Sequence, residues 1–390
     1  MKALTQRTSR GIILTLSALL ALTAGADDVK PWWPARVQIF NPACTDGTAA
    51  CMNDPRNSAN RLEQAYYEPL MPAAVTGKHH LCVSFPHLNE DSYWLAAAYG
   101  IIQEGRRLGQ KITLVEAGGY GNLSKQLAQI DTCTTGGAEA VLLGAISSDG
   151  NAPQVDALRA QGVKVVDLIN GTNTAVDAKS VESYFSMGYM ACGWVAERHP
   201  AGTPTVRIGW YPGPYGAGWS LGGDQGCRAA VEGSAAEIVD TRWGDTSIEA
   251  QRGLVEAGLN AYPDLAYIVG TSPTAESAIA ALRDRGMTEQ VKIVVYYYTQ
   301  SVHELIAQGQ VAMAPTDQVI LQARIAVDQA VRLLEGKPMA TGGRPQLTDL
   351  GRMAEHVQPL PVAVTPQTLQ AFDTTTTLAP AGWKPIFSID

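Results

Sequence analysis

The chain has no basic cluster, no arginine-rich arm and no C-x-x-C pair, and only 17% of its 390 residues are charged. Its formal net charge is −8. Without a basic face it has nothing to set against a phosphate backbone, so nucleic acid is not an expected partner. An acidic chain is also not drawn to an anionic membrane surface. The longest apolar run, Gly11 to Leu22, falls short of the ~20 residues that a membrane span needs, so no direct membrane insertion is expected. The motifs of common catalytic sites are missing too. Gly213 and Gly218 have the spacing of a phosphate-binding loop, but the Lys is absent. Gly216 and Gly218 begin a dinucleotide fingerprint that fails at Leu221. There is no H-E-x-x-H and no G-x-S-x-G. No nucleophile, metal set or cofactor loop is legible, so an enzyme is not expected and no cofactor is implied. His79-His80 could suggest a metal, but adjacent side chains at a strand start diverge, and they read as solvated surface.

What the chain does have is apolar mass, 46% of its residues, together with 38 glycines and 22 prolines. It can bury cores and make many tight turns, and its length suits two or three domains at ~150 residues each. The beginning reads as an address. Lys2, Arg7 and Arg10 precede the apolar run, and Ala24-Gly25-Ala26 is a small-residue cleavage pattern followed by Asp27 and Asp28. Residues 1–26 are therefore read as a secretory signal peptide cleaved after Ala26, which places the mature chain in the periplasm. Removing those three cations from −8 leaves −11. The six cysteines are then in an oxidising compartment, where disulfides are the default. Six cysteines allow about 15 connectivities. The pairing preferred here is Cys44–Cys51, Cys82–Cys133 and Cys192–Cys227, which keeps the last two within one lobe each.

Residues 27–78 read as an irregular extension, with Trp32-Trp33-Pro34 and Asn41-Pro42-Ala43-Cys44. From residue 79 a regular alternation begins. Leu81 to Phe85 is a short apolar run of strand type, and residues 91–108 carry apolar side chains at helical spacing. Asp91 and Ser92 stand where a helix cap belongs. Further strands are expected at 112–117, 140–144, 163–169, 206–210, 238–242, 267–270 and 293–297. Helices are expected at 122–134, 152–161, 187–197, 247–259, 274–285 and 317–334, with a glycine-rich loop before a helix at 224–232. Near-continuous apolar strands alternating with helices imply parallel sheets covered on both faces. We read lobe 1 as 79–175 plus part of 312–390, and lobe 2 as 176–311 plus part of the C-terminal segment. Such sheets hold ligands at the carboxyl ends of their strands, so two facing lobes would share a cleft.

Three aromatic segments lie at predicted strand-to-helix junctions. They are Asp91-Ser92-Tyr93-Trp94, the run from Trp210 to Trp219, and Tyr296-Tyr297-Tyr298. Rings at a cleft suit an alkylated cation, because the π faces attract positive charge. They equally suit sugar stacking, and a Tyr or Trp at a strand end also serves as core.

In the same order come Val115-Glu116-Ala117-Gly118-Gly119-Tyr120, Gln129-Ile130-Asp131-x-Cys133, Gly137 to Gly144, Phe185-x-Met187-Gly188-Tyr189, Pro212-Gly213-Pro214, Gly270-Thr271 and Asp317-Gln318. Together with Asp91 to Trp94 this series resembles the TorT family, periplasmic sensors of trimethylamine N-oxide among the type I periplasmic binding proteins. The resemblance spans roughly 80–335 and implies two Rossmann-like lobes with an inter-lobe ligand cleft. It also implies a small-molecule ligand in an aromatic box, and a partner in the periplasmic sensor domain of a TorS-like histidine kinase. By position it places Asp91, Tyr93 and Trp94 on one wall and Tyr297 on the other. Tyr184 stands where the family pattern implies a Trp, which leaves a different methylated amine open as the ligand. Asp91 would either complement an ammonium charge or cap its helix. The rival reading is a solute-binding protein of an importer for a sugar or similar polar solute, since fold alone does not fix function.

Overall fold

Short apolar strands form where a run such as Ala140-Val141-Leu142-Leu143 can be buried on both faces, and all four of those side chains are buried. The computed structural model describes residues 35–41, 61–88, 92–340 and 355–390, with the backbone alone at 38–41 and 61–65. These residues fall in one compact unit, 33–390. The signal segment, Cys44, Cys51 and Asp91 lie outside the described residues.

In chain order the strands are β1 (Ala35–Asn41), β2 (Arg61–Tyr67), β3 (His80–Phe85), β4 (Lys111–Glu116), β5 (Ala140–Leu143), β6 (Lys164–Leu168), β7 (Ala178–Ser180), β8 (Val206–Gly213), β9 (Ala236–Trp243), β10 (Tyr267–Gly270), β11 (Lys292–Val295), β12 (Ala314–Thr316), β13 (His356–Pro359), β14 (Val362–Val364) and β15 (Ser388–Ile389). The helices are α1 (Ser92–Arg107), α2 (Leu123–Thr135), α3 (Ala152–Ala160), α4 (Tyr184–Arg198), α5 (Gly218–Val231), α6 (Ile248–Ala261), α7 (Ser272–Asp284), α8 (Gln300–Ala307) and α9 (Val319–Leu334).

The first sheet runs β15-β4-β3-β5-β6-β7-β13-β1-β2, parallel from β4 through β13 and antiparallel at both margins. The second runs β11-β10-β8-β9 and is parallel throughout. The antiparallel pair β12–β14 adjoins it, with Met313 bridged to Val294 of β11. Two α/β lobes result, and the fold is that of a type I periplasmic binding protein. The first sheet takes in β7, so the first crossing between lobes lies at 181–183, a few residues past the boundary read at 175. The chain returns at 317–318, crosses again at 360–361 and ends in the first sheet with β15. Helix α9 belongs to the first lobe, packed on α1, β5, β6 and β7.

The extension read as irregular contains two strands, β1 and β2, paired in register from Ala35↔Tyr67 to Asn41↔Arg61. Neither strand carries a continuous apolar run, and a turn-rich stretch lies between them. Tyr67 anchors the pair by donating to Asp328 of α9 at 2.8 Å, and Arg332 reaches the Glu68 carbonyl at 2.7 Å. Two of the expected disulfides are present, Cys82–Cys133 in the first lobe and Cys192–Cys227 in the second. His79 and His80 are partly buried rather than solvated. His79 lies 3.3 Å from Glu139 and 3.6 Å from Glu335, and His80 Nε2 meets Thr113 Oγ1 at 2.8 Å.

Helix α5 begins at Gly218, six residues before the expected Asp224. The glycines that read as a loop are the face on which α5 packs against α4. A Cβ at Gly226 would run into the Phe185 carbonyl, and one at Gly188 into the carbonyl of Gly223. The helices approach backbone to backbone, and Cys192–Cys227 ties them together.

Candidate functional site

The carboxyl ends of β3, β4, β8, β9 and β11 converge between the lobes, and each delivers at least one side chain to a single small cavity. From the first lobe come His87 after β3, Tyr93 and Trp94 on the first turn of α1, and Tyr120 after β4. From the second come Tyr184 at the start of α4, Trp219 at the start of α5, Thr246 after β9 and Tyr297 after β11. About 20 Å³ is open to the centre of a water molecule, where a single water needs about 10–15 Å³. The cleft is closed around it. Gln300 N–H donates to Ser92 Oγ across the lobes at 2.9 Å, and Gly218 abuts the Ser148 hydroxyl so closely that no Cβ fits.

Small residues make room for the large rings. A Cβ at Gly144 would collide with the edge of the Trp94 indole. Gly213, at φ 106°, leaves the space that the Trp219 benzo ring fills, and only glycine takes that backbone without strain. Ser183 caps α4 by accepting from Ser186 N at 3.2 Å, which fixes Tyr184 as the first helical residue.

Four rings close a circuit. Tyr93 and Tyr297 stand edge to face at 5.6 Å, Tyr297 and Trp219 at 6.1 Å and 88°, and Trp219 and Tyr184 at 5.9 Å. The Tyr184 and Tyr93 hydroxyls then meet at 3.1 Å. Trp94 extends one wall, 5.9 Å from Tyr93 and 4.8 Å from Phe85, and Tyr120 extends another, 5.9 Å from Trp219. No Lys or Arg is among the described lining residues. Tyr93 donates to Asp317, which lies behind the cavity at the second crossing. Burial raises the Asp317 carboxyl to about 6, partly offset by the Tyr93 hydrogen bond and by Gln322. Burial, reinforced by the Asp317 charge, also holds the Tyr93 and Tyr184 hydroxyls well above the usual phenol range, so both keep their protons.

Of the five residues expected at the site, Tyr93, Trp94, Tyr184 and Tyr297 meet here, and Asp91 lies outside the described residues. The other aromatics of the singled-out segments divide by role. Tyr296 is buried with its hydroxyl on the Pro212 carbonyl, and Tyr298 is buried and bonds His303 at 2.9 Å, so both are core. Trp210 is core as well, its Nε1 donating to Asp224 at 2.9 Å. Tyr215 is 77% exposed and lies against Trp243. Sequence reasoning missed Trp219, Tyr120, His87, Thr246 and the supporting Asp317. Trp219 and Tyr120 close two of the motifs quoted above, and a helix starting at Gly218 would have turned Trp219 inward. His87 and Thr246 carry no such signal. A larger space of about 240 Å³ lies on the far side of Tyr93, between α1, α8 and the segment around Trp383. Its described lining mixes Tyr93, Tyr298 and Trp383 with Leu95, Gln300, Glu304 and small residues, and these rings do not form a circuit like that of the smaller cavity. Among the described residues no group of three His, Cys, Asp or Glu side chains could hold a metal ion, and no helix is long and apolar enough to cross a membrane.

Comparison with known proteins gives a consistent placement. The family described as periplasmic binding protein domain matches residues 81–338. Periplasmic protein TorT of Escherichia coli K12 is 34% identical over 312 residues, covering 79% of this chain and 84% of TorT. The complex of the TorS sensor domain with TorT, solved in the presence of TMAO, matches with TM-score 0.69 and 30% identity, covering 80% of this chain and all of that one. An ABC transporter solute binding protein from Bradyrhizobium sp. BTAi1, solved with bound bis-tris, matches with TM-score 0.74 and 38% identity, covering 91% of this chain and 98% of that one.

Proposed function

The chain belongs to the TorT family of type I periplasmic binding proteins, and we propose that it is the ligand-binding component of a two-component signalling system. In this reading the mature protein, cleaved after Ala26, captures trimethylamine N-oxide or a related methylated amine. It presents that ligand to the periplasmic sensor domain of a TorS-like histidine kinase, which induces N-oxide respiration. The observation that carries the reading is the closed circuit Tyr93–Tyr297–Trp219–Tyr184 in a cavity whose described lining holds no Lys or Arg. Four ring systems around one small volume enclose a trimethylammonium group better than a flat polyol. A desolvated cation–π contact is worth about 2 kcal/mol. Trp219 adds an indole beside Tyr184, where the family pattern implies a Trp, and its buried Nε1 has no hydrogen-bond partner among the described residues. That donor is available to an N-oxide oxygen.

A second reading shares the ligand chemistry and differs in the partner. The Bradyrhizobium relative is named as a transporter component and holds bis-tris, itself a tertiary amine. Here the box would serve an importer. Titration calorimetry of the mature protein with trimethylamine N-oxide, tetramethylammonium, bis-tris and ribose tests the shared chemistry. We expect saturable heat with the methylated amines and none with ribose. Ribose binding with silence from the amines would overturn the box. Co-elution of the loaded protein with a TorS-like sensor domain then separates the two partners, and its absence favours the importer.

A further inference from the structure

Two buried carboxylates sit in the crossings beneath the box. Glu182 precedes α4 at the first crossing, and Asp317 precedes α9 at the second. Both are buried, at 3% and 0% exposure, and neither takes part in any ion pair among the described residues. One oxygen of each, Glu182 Oε2 and Asp317 Oδ1, has no hydrogen-bond partner among the described residues. The other Asp317 oxygen accepts from Tyr93.

That bond fixes a direction. A phenol has one hydrogen. Tyr93 gives its hydrogen to Asp317, so the 3.1 Å contact between the Tyr93 and Tyr184 hydroxyls is donated by Tyr184. The chain of donors runs out of the box, Tyr184 to Tyr93 to Asp317, and the Tyr184 oxygen shows the cavity lone pairs only. If Asp317 gains a proton, it becomes the donor. The Tyr93 hydrogen then turns to Tyr184, and the Tyr184 hydrogen is released to the cavity.

We propose that Asp317 is a positioning residue that sets the polarity of the box through Tyr93 and Tyr184. Ionised, it backs the rings with negative charge and hydroxyl lone pairs, which suits a fully alkylated cation. Protonated, it reverses the chain and offers a hydroxyl hydrogen, which suits the same alkylated nitrogen when it bears an oxyanion. The inference rests on the reading of the box as a methylated-amine site.

The surroundings allow both states. Among the described residues, the groups facing Asp317 are Tyr93 from α1, Tyr184 from α4, Glu182 from the first crossing and the Gln322 amide from α9, and no cation is among them. Burial brings the Asp317 carboxyl to about 6. The Glu182 carboxyl is likewise pushed well above the usual carboxylate range by burial and by the Asp317 charge. The backbone holds Asp317 in place. Gln318 is one of two non-glycine residues with left-handed φ among those described, at 56°, and its amide is tied to the Leu360 carbonyl of the third crossing at 2.6 Å.

The test is the pH dependence of binding for two probes, tetramethylammonium and trimethylamine N-oxide, by calorimetry from pH 5 to 8. Tetramethylammonium is expected to weaken by on the order of tenfold per pH unit below 6, and the N-oxide to weaken by a comparable factor per unit above 6. Asp317→Asn is expected to flatten both profiles. Tyr93→Phe cuts the chain and keeps the carboxylate, so only the N-oxide profile flattens. His87→Gln, a change in the cavity lining itself, is measured in parallel, and slopes that disappear with His87→Gln and survive Asp317→Asn overturn the proposal. Parallel or flat profiles in the native protein, or slopes that survive Asp317→Asn, overturn the proposal and leave the box standing. Binding of neither probe at any pH overturns the box and the proposal together.

Discussion

Gly188 of α4 lies directly against the carbonyl of Gly223 of α5, with no room for a methyl group between them. Gly188→Ala must push the two helices apart at their tightest point. We expect a loss of about 3 kcal/mol, at the upper end of overpacking costs, read as a lower urea midpoint. Gly193 of the same helix is the control. A Cβ there meets only Ala230 at 3.8 Å, so Gly193→Ala should stabilise by up to ~1 kcal/mol through helix propensity.

The same two helices are joined by Cys192–Cys227, which closes a loop of 35 residues in sequence. Replacing both cysteines by Ser releases that constraint on the unfolded chain. The expected cost is about 2–4 kcal/mol in unfolding free energy, with ligand affinity retained.

His356 of β13 is buried beside Lys179 and is held neutral, its pKa lowered to about 3 by burial and by that cation, against the Val181 carbonyl it bonds at 3.2 Å. In the unfolded chain it titrates near 6.5. The unfolded state therefore binds the extra proton first, and the stability present above pH 6.5 falls as pH drops from there toward 3. His356→Gln keeps a donor without the titration. Native protein should lose stability relative to that variant by about 1.4 kcal/mol per pH unit below 6.

Within the box, Trp219→Ala and Tyr297→Ala each remove one face of the circuit. The expected loss in affinity for a methylated amine is about 30-fold, equivalent to about 2 kcal/mol. Tyr298→Phe, one residue from Tyr297 and facing the core, should leave the affinity unchanged. Equal effects at Tyr297 and Tyr298 would mean that the packing, not the cavity, was perturbed.

These predictions divide along the line between what composition encodes and what three dimensions add. The lobes were legible because buried parallel strands are apolar on both faces, and runs such as Leu81 to Phe85 and Ala140 to Leu143 cannot be mistaken for surface. The site was legible where aromatics follow such runs, at Tyr93, Trp94 and Tyr297. Tyr184 came through the family resemblance. Trp219 was hidden because glycine usually breaks helices, and here it instead lets two helices touch. The β1–β2 pair was hidden because an antiparallel margin of a sheet buries only alternate residues and its partner strands are far apart in sequence. Asp317 was hidden for a different reason. It never touches the cavity, and its importance lies in a hydrogen bond between residues 224 positions apart.

The central claim is that the ring circuit holds an alkylated nitrogen. The most direct test is a crystal structure of the mature protein with trimethylamine N-oxide. The account predicts its nitrogen within about 6 Å of the ring centres of Tyr93, Tyr184, Trp219 and Tyr297. A ligand found outside that circuit, or a sugar occupying it in preference to the N-oxide, would contradict the account.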